Sequence, residues 1–194
     1  ACSRIWYSTS KNAERKYPNT WEIIEVDNRY KVGINTVSAN KLVLEAIYNN
    51  VIRSLQGYST VRKEVPYGVQ NSRIDILLED MVNNQCRRCF VEVKNVSLGI
   101  GDGMGLFPDA VTKRGQKHMQ ELIEIASVGD RAVLLFCVQH EGINQVYPAD
   151  DIDPEYGRLL RQAEAAGVEI QAYGTEFDID TSTLSIKQEL SVII

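Results

Sequence analysis

Two short segments separated by a polar turn constrain this chain most: Ser72-Arg73-Ile74-Asp75-Ile76-Leu77-Leu78-Glu79, then Phe90-Val91-Glu92-Val93-Lys94. Successive side chains of a strand point to opposite faces, so Ile74, Ile76 and Leu78 share one face while Arg73, Asp75 and Leu77 share the other. Glu92 and Lys94 fall together by the same rule. Pairing the segments as a hairpin, with Asn83 and Asn84 in the turn, brings Asp75, Glu92 and Lys94 to one spot. Two carboxylates can hold a hard cation such as Mg²⁺, with Mn²⁺ as a substitute, and such a cation polarises a phosphate and acidifies a bound water. A lysine on the same pleat can orient that water or steady developing negative charge.

Asp75, sixteen intervening residues and then Glu92-Val93-Lys94 resemble the PD-(D/E)XK nuclease motif. Longer strings narrow the resemblance. Ser72-Arg73-Ile74-Asp75, Val91-Glu92-Val93-Lys94, Leu106-Phe107-Pro108-Asp109-Ala110-Val111-Thr112-Lys113-Arg114-Gly115, Tyr147-Pro148-Ala149-Asp150 and Ile152-Asp153-Pro154-Glu155-Tyr156 resemble the sugar fermentation stimulation protein family along nearly the whole chain. The resemblance implies an α/β fold, a mixed sheet flanked by helices and restriction-endonuclease-like. It also implies DNA binding without sequence preference and a small OB-like barrel before the nuclease-like domain. Members of the family usually begin well before the position of Ala1, so residues 1–36 are expected to be the remnant of that barrel and 37–194 the nuclease-like domain. Two functions follow from the resemblance: a Mg²⁺-dependent phosphodiesterase acting on DNA, or a non-cleaving DNA-binding regulator of sugar (maltose) metabolism genes.

At 194 residues with 44% apolar content, the chain can bury one good-sized core. No apolar run approaches the ~20 residues of a membrane span, and no signal-peptide pattern opens the sequence, so a cytoplasmic protein without a membrane partner is expected. Cys2, Cys86, Cys89 and Cys137 lack disulfide-framework spacing, and Cys86 and Cys89 have no second pair with which to hold zinc. The net charge of −5 is unevenly spread: residues 1–59 carry +3, residues 60–131 balance, and residues 132–194 carry −8. A polyanion is therefore expected over the N-terminal and central parts.

Arg4–Thr9 and Trp21–Ile34 have strand composition, and the linker between them carries Arg15 and Lys16. Trp6, Tyr7 and Trp21 beside these cations would either stack on nucleic-acid bases or fill a core. Leu44, Ile47, Tyr48, Val51, Ile52 and Leu55 predict an amphipathic helix from Ser38 or Asn40 to just before Gly57. Glu45, at the flank of its apolar stripe, is either a third metal ligand by the nuclease resemblance or a boundary residue paired with a base. Thr60–Tyr67 predicts a strand turning at Gly68. Gly99, Gly101, Gly103 and Gly105 predict a mobile loop bordering the site, and no P-loop spacing follows them. The next helix opens with Lys113, Arg114, Lys117 and His118. Cations near a helix N-terminus oppose its dipole, so an external anion is expected to lie there. His118 is a possible proton carrier that nothing in the sequence orients. The apolar run Ala132–Val138 predicts a strand covered on both faces, Tyr156–Ala166 a helix, Val168–Tyr173 a parallel strand, and Thr175–Ile194 a last hairpin. Asp150, Asp151 and Asp153 are expected to set turns and helix N-terminal charge.

Overall fold

The computed structural model describes residues 3–67 and 72–194; Cys2 and the expected turn at Gly68 lie outside the described residues. Strands β1 (Ile5–Thr9), β2 (Asn19–Val26) and β3 (Tyr30–Gly33) form a separate antiparallel sheet. The segment expected as one strand over Trp21–Ile34 is two, because Asp27 and Asn28 both take positive φ (53° and 50°) and reverse the chain in a tight turn.

The larger sheet runs β4-β5-β6-β9-β11-β12-β10-β8-β7 and mixes parallel with antiparallel pairs. Its members are β4 (Thr60–Tyr67), β5 (Ser72–Val82), β6 (Gln85–Val96), β7 (Leu98–Gly101), β8 (Met104–Phe107), β9 (Arg131–Val138), β10 (Gln145–Pro148), β11 (Glu169–Asp178) and β12 (Thr183–Val192). Helix α1 (Ser38–Tyr48) packs Leu42, Val43 and Ile47 on one face, with Ile76, Val91 and Leu135. Helices α2 (Lys113–Ser127) and α3 (Pro154–Ala165) cover the other, where Leu122 and Leu159 meet Leu134 and Phe136. The fold is thus α/β, a mixed sheet with helices on both faces. Ala132–Val138 is buried throughout, as two covered faces require. The β5–β6 hairpin turns at Asn83 and Asn84, each with positive φ (51° and 62°), which short amide side chains tolerate.

Three further sequence expectations change in the structure. Helix α1 stops at Tyr48, and a 3₁₀ turn at Arg53–Leu55 carries Leu55 into the core beside Ile52, so apolar residues expected on one helix come from two elements. The glycine run is not a mobile loop but the hairpin β7–β8 at the sheet edge. Its glycines admit close neighbours: a Cβ on Gly105 would lie 2.7 Å from Ile143, and one on Gly103 would lie 2.5 Å from Asn144. The strand expected to end at Tyr173 continues to Asp178, so the last hairpin is β11–β12. Among the described residues, no helix is long and apolar enough to cross a membrane.

Candidate active site

Asp75 sits where β5 parts from β6 and, opposite Glu64, where its ladder to β4 is briefly interrupted. The ladder to β6 runs from Val82↔Gln85 to Ile76↔Val91 and stops there; on the other side Lys63↔Ile76 and Val65↔Ile74 bracket an unpaired Glu64, which takes φ 50°. A bulky residue in the left-handed region is strained, and such strain gathers at functional positions. In the gap, the Asp75 carboxylate replaces the missing ladder. Its Oδ2 accepts from Val93 N–H at 2.8 Å, and its Oδ1 accepts from Asn40 Nδ2 on α1 at 2.8 Å.

Strand β6 continues beside it with Glu92 and Lys94 on the face that α2 covers. Lys94 Nζ donates to Glu92 Oε1 at 2.6 Å, and His118 Nδ1 meets the same oxygen. On the far side of the ring, Arg114 Nε donates to His118 Nε2 at 3.4 Å. A carboxylate can only accept, so His118 presents its Nδ1–H to Glu92 while its Nε2 faces the Arg114 donor. Lys94 and His118 keep 16% and 6% of their side-chain exposure and Glu92 only 2%. This ion pair is therefore buried, and losing one partner would strand a charge.

The two acids respond oppositely to this setting. Burial and the adjacent Glu92 charge push the Asp75 carboxyl up, against the Val93 N–H, Asn40 and Lys94. Burial would also raise Glu92, but the hydrogen bond from His118 and the charge of Lys94 outweigh it and hold that carboxyl below its ordinary value. Glu92 Oε2 is buried with no partner among the described residues. An orphaned carboxylate oxygen beside a second, electrostatically burdened carboxylate fits a divalent cation, which takes oxygen ligands and keeps its remaining positions for water. Among the described residues no group of three or more His, Cys, Asp or Glu is arranged to hold a metal, so this donor set is a pair.

Of the sequence candidates, Asp75, Glu92 and Lys94 are brought together. Glu45 is not: it is exposed and lines another cavity with Trp6, Tyr7 and Lys41, five residues along α1 from Asn40, the helix position that does reach Asp75. Residues five apart on a helix point about 140° apart. Lys113, Arg114 and Lys117 line a cleft of about 450 Å³ with Arg73, Ser72 and His118, beside the acidic pair. The Ser72 hydroxyl is buried without a partner among the described residues. Thr112 caps α2 at this end, accepting from Gly115 N–H at 3.0 Å. Arg15 and Lys16 stand exposed between β1 and β2 and do not line the cleft; Trp6 is half-buried, while Tyr7 and Trp21, directly paired, are both exposed. Sequence reasoning missed Asn40 and gave His118 no partner. The one usable signal for His118 was its place one turn after Arg114.

A family model described as the sugar fermentation stimulation protein RE domain matches residues 37–181. This chain belongs to that family. It is 52% identical over 183 residues to the sugar fermentation stimulation protein homolog of Shewanella woodyi, covering 93% of this chain and 76% of the relative. The Shewanella halifaxensis homolog is 54% identical over 170 residues, covering 88% of this chain and 71% of the relative. The structure of Pyrococcus furiosus SfsA in complex with Ca²⁺ superimposes with a TM-score of 0.83 at 27% identity, over 98% of this chain and 78% of the other.

Proposed function

We propose that this member of the sugar fermentation stimulation family binds DNA without strong sequence preference and carries a Mg²⁺-dependent phosphodiesterase site. The observation that carries the reading is the pair of half-buried Asp75 and buried Glu92, with Lys94 and His118 locked on one Glu92 oxygen and the other oxygen left without a donor. Asp75 and Glu92 would hold the cation, which supplies charge neutralisation and a more acidic bound water. The similarity to a family member whose structure is described as a Ca²⁺ complex supports this assignment.

The chain's own residues do the rest. Asn40 and the Val93 N–H fix the Asp75 carboxylate at the mouth of the splayed strands. Lys94 orients Glu92 and supplies positive charge where a phosphate gains negative charge. His118, with its hydrogen on Nδ1 and its Nε2 turned to Arg114, holds a proton at the edge of the site. Lys113, Arg114, Lys117 and Arg73 present cations to the phosphates of the strand.

The test is cleavage of labelled single- and double-stranded DNA with Mg²⁺ or Mn²⁺, beside an EDTA control and the Lys94→Ala protein. Metal-dependent cuts are expected, falling about 10²–10³-fold in Lys94→Ala with DNA binding retained. Binding without cuts in the wild type would leave a non-cleaving DNA-binding regulator as the function.

A further inference from the structure

Three cations of the basic cleft stand without a counter-charge. Arg73, Lys113 and Arg114 have no carboxylate within ion-pair distance among the described residues, whereas Arg88, Arg131, Arg158 and Arg161 each hold one at 2.6 or 2.7 Å. The bonds they do make go to a carbonyl, an amide and an imidazole: Arg73 to the Glu64 carbonyl at 3.0 Å, Lys113 to Gln116 Oε1 at 3.2 Å and Arg114 to His118 Nε2 at 3.4 Å. Lys117 lines the same cleft, and Glu64 is the one carboxylate among the lining residues, so positive side chains exceed negative ones by three. Arg73, Lys113 and Arg114 are all exposed, which leaves their donors open to a ligand.

Holding like charges together from two elements, β5 and the first turns of α2, costs energy, and the positive end of α2 adds to that cost. A bound anion offsets it. A phosphodiester inside a strand brings one negative charge and two free oxygens; a terminal phosphomonoester brings about −1.5 to −2 near neutral pH and three. The cleft of about 450 Å³ takes the phosphate and sugar of one nucleotide, not a run of them. Three uncompensated cations around a space for one phosphate therefore match the monoester better than the diester. The Ser72 hydroxyl, buried in the cleft wall without a partner among the described residues, adds a donor that a phosphate oxygen or its bound water can take up.

We propose that the basic cleft is a receptor for the terminal phosphomonoester of a nucleic-acid strand. The proposal rests on the phosphodiesterase reading above and names the substrate class of that site: strands engaged at a phosphorylated end. His118 sets the spacing, because its Nδ1 meets Glu92 Oε1 while its Nε2 faces Arg114 in the cleft. Only the width of one imidazole ring separates the two places, so a terminal phosphate in the cleft presents the next phosphodiester to Asp75 and Glu92. Every phosphorylated end offers the same group whatever its bases, so this recognition is independent of sequence.

The experiment measures binding by fluorescence anisotropy, with Ca²⁺ in place of Mg²⁺ to keep the strand intact and the dye on an internal base. The probes are one oligothymidine with hydroxyls at both ends, with a 5′-phosphate, with a 3′-phosphate, and with each phosphate capped as its methyl ester. One phosphorylated end should bind about ten-fold more tightly than the hydroxyl strand, and its methyl ester, a diester of single charge, should lose most of that gain. Whichever end shows the gain identifies the one the cleft receives. Arg73→Ala should weaken binding of every strand and bring the ratio between phosphorylated and hydroxyl ends close to one. Equal binding of all the strands by the wild type would overturn the receptor while leaving the nucleic-acid reading standing. A gain that the methyl ester keeps would overturn recognition of the dianion, and a ratio that survives in Arg73→Ala would overturn its placement in this cleft. Binding of none of the strands would remove the nucleic-acid reading and the receptor with it. Should Arg73→Ala fail to fold, the comparison of capped and uncapped ends on the wild type still decides.

Discussion

Asp75 and Glu92 are two acids with opposed settings. Glu92 is matched by Lys94 and His118, whereas Asp75 is half-buried beside a like charge with only neutral donors in hydrogen-bonding contact. Its raised pKa means that the folded protein favours the neutral form. The cost is present above that pKa and disappears as the pH falls below the unfolded value. Asp75→Asn should therefore raise the melting temperature of the metal-free protein at neutral pH, by about 2–4 °C per kcal/mol recovered. The gain should shrink on acidification, because the wild-type carboxyl then takes up its own proton. The same variant should lose the stabilisation that Mg²⁺ or Mn²⁺ gives the wild type, so melting curves with and without metal check both halves. At this scale the sequence pattern placed Asp75, Glu92 and Lys94 on adjoining strands. It was silent on Asn40, 35 residues away, and on the two partners that orient His118.

One carboxylate ties α3 to the start of α2. Asp153 caps α3 by accepting from Tyr156 N–H at 3.0 Å, and it also accepts from Thr112 N–H at 2.9 Å and from Gln116 Nε2 at 2.7 Å, at the start of α2. Burial alone would raise its pKa, but these donors outweigh burial and lower it. A lowered carboxylate adds stability above the unfolded value of about 3.9, and that stability is lost as the pH falls through the folded value. Asp153→Ala should cost about 2 kcal/mol at pH 7, from a lost cap and buried donors left unpaired. The gap between variant and wild type should narrow below about pH 4 in chemical denaturation. The sheet edge depends on a different constraint. Gly103 takes φ +79° and packs on Asn144, so Gly103→Ala should destabilise the β7–β8 hairpin by about 1–3 kcal/mol, measurable as faster hydrogen exchange there.

Charge acts over the whole molecule. The segment 132–194 carries −8, while the basic cleft gathers Arg73, Lys113, Arg114 and Lys117 on the central part of the chain. Replacing Lys113, Arg114 and Lys117 together by alanine should weaken DNA binding and flatten the slope of log K against log salt by about 2–3, one unit or slightly less per lost phosphate contact. Titration at several salt concentrations checks this, and an unchanged slope would move the DNA surface away from α2.

The sequence by itself determined the α/β class, the central hairpin with its Asn83–Asn84 turn, the doubly covered strand Ala132–Val138 and the neighbourhood of Asp75, Glu92 and Lys94. Each of these follows from periodicity or turn chemistry within a few residues, which local sequence carries in full. Only the tertiary structure decided that β5 parts from β6 at Asp75, that Asn40 rather than Glu45 faces it, and that the glycine run packs as an edge hairpin. It also decided that Arg73 of β5 lines one cleft with Lys113 and Arg114 of α2. These are relations between segments far apart in the chain, set by how strands splay and how helices rotate against them, and no local pattern encodes which side chains then meet.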